Sequence, residues 1–171
     1  MVDPGPDADQ LRQMLEIAIR VPDHGKLAPW RFVHVPRERR EVFAALLHRA
    51  YRLGNPEPTR LELEAVDRLG RQAPTLVVAL ASPVAGTKIP LWEQELSCGA
   101  ACMNLLTAVH AMGFVGGWIT GWPCYSEAVR EAFARGQERI AGFIYVGSPG
   151  QPLEERQRPT YDLVVSEWDP R

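Results

Sequence analysis

The stretch Pro90–Gly121, PLWEQELSCGAACMNLLTAVHAMGFVGGWITG, decides the fold. Glu93 and Glu95 stand near its start, and no further Asp, Glu, Lys or Arg occurs until Glu127. Leu91, Leu96, Leu105, Leu106, Val109 and Met112, padded with Ala and Cys, form a helix that is apolar on nearly all sides, which implies burial on nearly all sides. Its two acids fall in the first turns, where the helix dipole favours negative charge. Gly113 supplies the left-handed residue that ends it. The uncharged run 114–120 follows at once and suits an interior strand. The expected centre of the fold is a buried helix feeding an interior strand.

The same stretch is nearly long enough to span a bilayer. Ser97, Asn104, Thr107 and His110 and the paired glycines favour a core helix instead.

Outward from this centre, residues 9–20 place Leu11, Leu15, Ala18 and Ile19 on one helical face, and Pro22 stops the helix. Residues 22–30, PDHGKLAPW, form an irregular loop before a strand at 31–35. A helix over 38–53 closed by Gly54, a turn at 55–59 and a helix over 60–70 precede TLVVALA, 75–81, which is the clearest buried strand. After the central pair, Ser126 starts a short helix to Phe133. A fourth strand covers 140–146, and a proline-containing tail runs to the C-terminus. The order of elements implies an α+β layer protein.

A chain of 171 residues forms one domain, 1–171, with a polar lead-in at 1–8 and an extended tail at 147–171. Its net charge of −2 gives no reason to expect nucleic acid or an acidic membrane surface as partner. Three cysteines, an odd count, without a basic-then-apolar leader point to free thiols in a reducing, cytoplasmic setting. Cys98, Cys102, Cys124 and His110 do not make a convincing metal set, so no metal is expected. Gly113, Gly116 and Gly117 do not build a GxGxxG turn after a strand, which disfavours a Rossmann site. No Ser or Cys occupies a nucleophile elbow.

The loop PDHGKLAPWRF gathers Asp23, His24, Lys26 and Trp30 just after Arg20, between a helix and a strand, where ligand contacts concentrate. Four segments then carry a resemblance. Arg20–Gly25 with Pro29–Phe32, Trp92–Glu95 opening the long helix, Gly113–Trp118, and Ile140–Gly147 occur together and in order. In that combination the chain resembles the nitroreductase family over roughly residues 4–150.

The resemblance implies an α+β fold with a central, mostly antiparallel sheet flanked by helices and a long helix at a homodimer interface. It implies FMN as cofactor, NADH or NADPH as electron donor, and a nitroaromatic, quinone or similar small molecule as acceptor, by ping-pong hydride transfer. By position, Arg20 and His24 match flavin contacts, and Trp118, Ile119 and Thr120 match a strand beside the flavin. Ala108, Val109, His110, Ala111, Met112 and Gly113 match a nicotinamide-nucleotide segment. No side chain acts as a nucleophile, because the cofactor carries the chemistry. Gly116 and Gly117 would leave room for a flat ring.

The family's opening Arg-Arg-Ser element, which grips the FMN phosphate, has no counterpart in the sequence. Either the natural start lies upstream of Met1 and carries that element, or Lys26, or Arg156 and Arg158 in the tail, would have to replace it; the sequence as it stands is expected to bind FMN weakly or not at all. The alternative reading is a flavin-binding or interaction protein of the same fold that has lost catalysis with that arm.

Overall fold

The computed structural model describes residues 1–170. Helix α1 spans Ala8–Ala18 and begins at a reciprocal cap, in which the Asp7 carboxylate accepts from the Gln10 N–H and the Gln10 side chain accepts from the Asp7 N–H. Leu11, Met14 and Ala18 bury its inner face, whereas Ile19, expected there, lies past the helix end and is exposed. After a single 3-10 turn at His24–Lys26 come β1 (Trp30–Val35), α2 (Arg40–Gly54), α3 (Arg60–Arg71) and β2 (Thr75–Ala81). Then follow α4 (Leu91–Ala111), β3 (Val115–Ile119), α5 (Trp122–Tyr125), α6 (Glu127–Phe133), β4 (Arg139–Gly147) and α7 (Tyr161–Val164).

The four strands form one antiparallel sheet in the order β1-β2-β4-β3. Side chains of β2 alternate between two cores. Val77, Ala79 and Ala81 face α1 and α4, and Leu76, Val78 and Leu80 face α2, α3 and α6. That two-sided burial explains why TLVVALA carries no polar alternation. Each fully buried Leu, Ile or Val there contributes roughly 1.5–3 kcal/mol. The result is a helix–sheet–helix sandwich.

One expectation about the centre is corrected. Strand β3 pairs only with β4 and is an edge strand, not an interior one. Its lack of charge reflects cover from α4 on one face. A Cβ on Gly116 would lie 2.8 Å from Leu106 Cδ2 and 3.2 Å from Val109 Cγ1. The space left by that glycine is therefore taken by α4. A Cβ on Gly117 would lie 3.1 Å from Met1 Cε. Within one chain α4 leaves Leu91, Trp92, Leu96 and Met103 exposed along its outer side. Gly113 does end the helix as expected, with φ of 83°.

Candidate functional site

Helix α4 positions the site through the three polar residues Glu93, Gln94 and Glu95. At 100° per residue, consecutive side chains point to different neighbours, and the two acids fall on nearly opposite sides. The Glu93 carboxylate accepts from His24 Nδ1 at 2.7 Å. Gln94 is buried and staples the loop before α4, accepting from the Val84 N–H at 2.8 Å and donating to the Val84 and Ile89 carbonyls. Glu95 pairs with Arg139 at the start of β4.

Farther along the same side as Glu93, Ser97 Oγ donates to the Pro22 carbonyl at 2.5 Å, and Asn104 Nδ2 donates to the Ile17 carbonyl at 2.6 Å. The few polar groups of an otherwise apolar helix therefore form one seam, and the seam holds the end of α1 and the Arg20–His24 loop.

The loop is also fixed from within. Gly25, Lys26 and Ala28 adopt φ of 76°, 54° and 47°. The left-handed region is unfavourable for Lys and Ala by about 1–2 kcal/mol each. The Asp23 carboxylate offsets this by accepting from the Leu27 N–H at 3.0 Å and the Ala28 N–H at 2.8 Å. Gly25 packs on Ile89, whose Cγ1 would lie 3.2 Å from an added Cβ. On this braced turn Arg20, His24 and Lys26 remain exposed.

The other flank of α4 opens on a cleft of ≈ 560 Å³ lined by Glu95, Cys98, Trp118, Tyr125, Arg139 and Ala141, among others. A bulge in β4 shapes it. Ala79 pairs with Gly142 but Leu80 pairs with Ile140, so Ala141 is the extra residue. The freed Ala141 carbonyl accepts from Trp118 Nε1 at 3.0 Å. Gly142 lies beneath the indole, and a Cβ there would fall 2.1 Å from Trp118 Nε1.

The residues singled out from the sequence thus fall into separate groups in one chain. Arg20 and His24 sit on one flank of α4. Trp118 lines the cleft on the other, with Ile119 half-buried and Thr120 exposed just beyond β3. The segment Ala108–Gly113 occupies the far end of α4, about 25 Å from Glu93 by helix rise. Ala108 and Val109 are in the core there, while His110, Ala111 and Gly113 are exposed and Met112 is half-buried. Arg156 and Arg158 lie on the exposed tail, where Arg158 pairs with Glu155. Sequence reasoning did not find the pairing of Glu93 with His24 or the roles of Gln94, Ser97 and Asn104. Polar residues spaced along one side of an uncharged helix were the available signal.

Cys98 and Cys102 are buried in the core and Cys124 is half-buried. Burial raises the Cys124 thiol to about 11. Among the described residues no helix is long and apolar enough to cross a membrane.

A family model described as the nitroreductase family matches residues 2–148. The chain is 36% identical over 154 residues to "Putative NAD(P)H nitroreductase YdjA" of Escherichia coli (strain K12), covering 87% of this chain and 81% of that one. The crystal structure of a nitroreductase-like family protein from Bacillus cereus superposes with a TM-score of 0.79 at 18% identity, over 96% of this chain and 86% of that one. That of "a putative nitroreductase in complex with fmn" from Desulfovibrio desulfuricans does so with a TM-score of 0.71 at 22% identity, over 98% of this chain and 89% of that one.

Proposed function

The chain belongs to the nitroreductase family, and from that premise we propose that it is an FMN-dependent NAD(P)H oxidoreductase acting as a homodimer on nitroaromatic, quinone or similar acceptors. The observation that carries this reading is the braced Arg20–His24 turn, which presents a guanidinium and an imidazole to solvent from a rigid support in a chain matched by the family over residues 2–148.

These residues fit the ring end of a flavin. When bound, FMN supplies a ring that accepts and donates hydride. The chain's own residues bind and orient it. Arg20 would hold positive charge toward the ring's polar edge, which would favour electron uptake there. His24 offers a hydrogen bond. The Thr120 backbone lies at the exposed end of β3, open to a flat ligand. For the nicotinamide nucleotide, the exposed His110, Ala111 and Gly113 are the accessible part of the 108–113 segment. Donor and acceptor would use one site in turn, which is ping-pong order.

The phosphate end is less complete within one chain. Its candidates are Lys26, exposed on the braced turn, and Arg156 and Arg158 on an exposed tail, so FMN affinity would depend in part on where that tail docks.

A second copy brings the parts together in this reading. Arg20 and Trp118 lie on opposite flanks of α4, and the outer side of α4 between them is apolar and uncovered. The tail from Pro149 to Pro170 is exposed throughout and carries Tyr161, Leu163, Val164 and Trp168. A partner molecule gives both surfaces something to bury. Three free thiols suit a cytoplasmic setting.

The test is oxidation of NADH or NADPH by the purified protein with excess FMN and a quinone or nitroaromatic. Acceptor-dependent turnover above that of free FMN is expected. Its absence at saturating FMN would leave a flavin-binding or interaction protein of the same fold.

A further inference from the structure

We propose that Glu93 is a positioning residue for His24: it locks the ring with its Nδ1–H inward and turns Nε2 to the ligand as the hydrogen-bonding nitrogen. The proposal rests on the flavin-dependent reading above and adds to it a residue acting one contact back from the cofactor.

The argument starts from what each group can do. An ionised carboxylate only accepts hydrogen bonds. A ring nitrogen 2.7 Å from Glu93 Oε2 is therefore the protonated one, and that nitrogen is Nδ1. Nε2 remains free. It accepts when the ring is neutral and donates when the ring is charged, and in both states it faces away from Glu93.

Orientation is the second element. His24 sits in a 3-10 turn beside a left-handed Gly25, and its side chain is 67% exposed. Without a partner such a ring would rotate and exchange tautomers. Glu93 is 31% exposed and is rooted in the first turn of a 21-residue helix. The next turn of that helix fixes the loop backbone through Ser97 and Pro22. Backbone and ring are thus referenced to the same rigid element, an arrangement that lowers the cost of ordering the ring when a ligand binds. The same carboxylate–imidazole device sets tautomer and direction at metal-binding histidines.

Two measurements test this. The first uses the protein without flavin, at a pH where His24 is neutral, and reads the tautomer from long-range 15N couplings of the ring. The Nδ1–H form is expected in the native protein, and loss of that preference is expected in Glu93→Ala. The second measures FMN dissociation constants for the native protein, Glu93→Ala, His24→Gln and the double variant. Glu93→Ala should weaken FMN about tenfold, the upper end of the range for one ordinary hydrogen bond. The double variant should bind no worse than His24→Gln alone.

An unchanged tautomer in Glu93→Ala, or a Glu93→Ala effect that persists in full when His24 is absent, overturns the proposal. If the native protein does not bind FMN at all, the flavin reading fails, and the tautomer measurement alone still decides the role of Glu93.

Discussion

Arg31 on β1 and Glu138 ahead of β4 form a two-pronged pair, with Arg31 Nε donating to Glu138 Oε1 at 2.9 Å and Nη2 to Oε2 at 2.5 Å, across 107 residues of sequence. The same Nη2 reaches the Phe133 carbonyl at 2.6 Å, and Glu138 also accepts from the Arg135 N–H at 2.7 Å. Glu138 is only 6% exposed. The pair therefore ties the end of α6 and the approach to β4 onto the outer strand of the sheet.

This pair predicts a pH signature. The hydrogen bonds from Arg31, against the opposing effect of burial and with help from the Arg135 N–H, bring the Glu138 carboxyl from 4.5 down to about 2. Because the folded value is the lower one, the stabilisation is fully present above about pH 4.5 and is lost as pH falls toward 2. Glu138→Gln should cost on the order of 2–3 kcal/mol at neutral pH. The gap between variant and native protein should close as urea unfolding is repeated at decreasing pH. A gap constant from pH 7 to about pH 3 would show that the pair is not what the substitution removes.

Gly142→Ala should unseat Trp118. The new Cβ would meet Trp118 Nε1 at 2.1 Å and Cδ1 at 2.4 Å, and the Ile119 carbonyl at 3.1 Å. The indole can swing, but the carbonyl belongs to the β3 backbone and must be displaced with it. A loss of about 1–3 kcal/mol is expected. The indole N–H of Trp118, bonded to the Ala141 carbonyl in the native fold, should exchange with solvent faster. Unchanged exchange of that one N–H would contradict the placement.

Gly70→Ala sets two effects against each other. Alanine inside a helix is favoured over glycine by about 1 kcal/mol. Here, however, the added Cβ would lie 2.7 Å from the Ala44 Cβ and 3.0 Å from its Cα, so α3 must move off α2. Overpacking costs about 1–3 kcal/mol and wins. Thermal unfolding should therefore shift down in Gly70→Ala and recover in part in Ala44→Gly/Gly70→Ala. A Gly70→Ala variant more stable than the native protein would mean that the two helices sit farther apart.

Where the sequence was readable, one element's own pattern was enough. Continuous apolar character located β2 at 75–81, and Gly113 ended α4 because a left-handed residue was needed there. What escaped depends on partners distant in sequence. An uncharged strand reads the same at the edge of a sheet as inside it, so the sequence alone does not place β3 at the edge. Helix α5 has only four residues, too few to show a helical period, although a proline in its first turn, Pro123, is compatible with a helix start. His24 and Glu93 were each part of a recognised motif, but 69 residues separate them and neither names the other. The bulge at Ala141 leaves only a neighbouring glycine as a trace.

The outer side of α4 gives the last prediction. Leu96 is 61% exposed and stands with Leu91, Trp92 and Met103 on the uncovered side of the helix. If a second copy covers that side, an arginine at 96 would be buried without a partner, at a cost of several kcal/mol. Leu96→Arg should then weaken self-association at least 100-fold, which is about 2.7 kcal/mol, and remove flavin-dependent turnover with it. Leu53 is 77% exposed on α2, on the far side of the sheet, so Leu53→Arg should leave both unchanged. Sedimentation at micromolar concentration separates these outcomes, with circular dichroism confirming that each variant is folded. A Leu96→Arg protein that still sediments as a dimer would move the interface off α4, and Arg20 and Trp118 would then need another route to a common ligand.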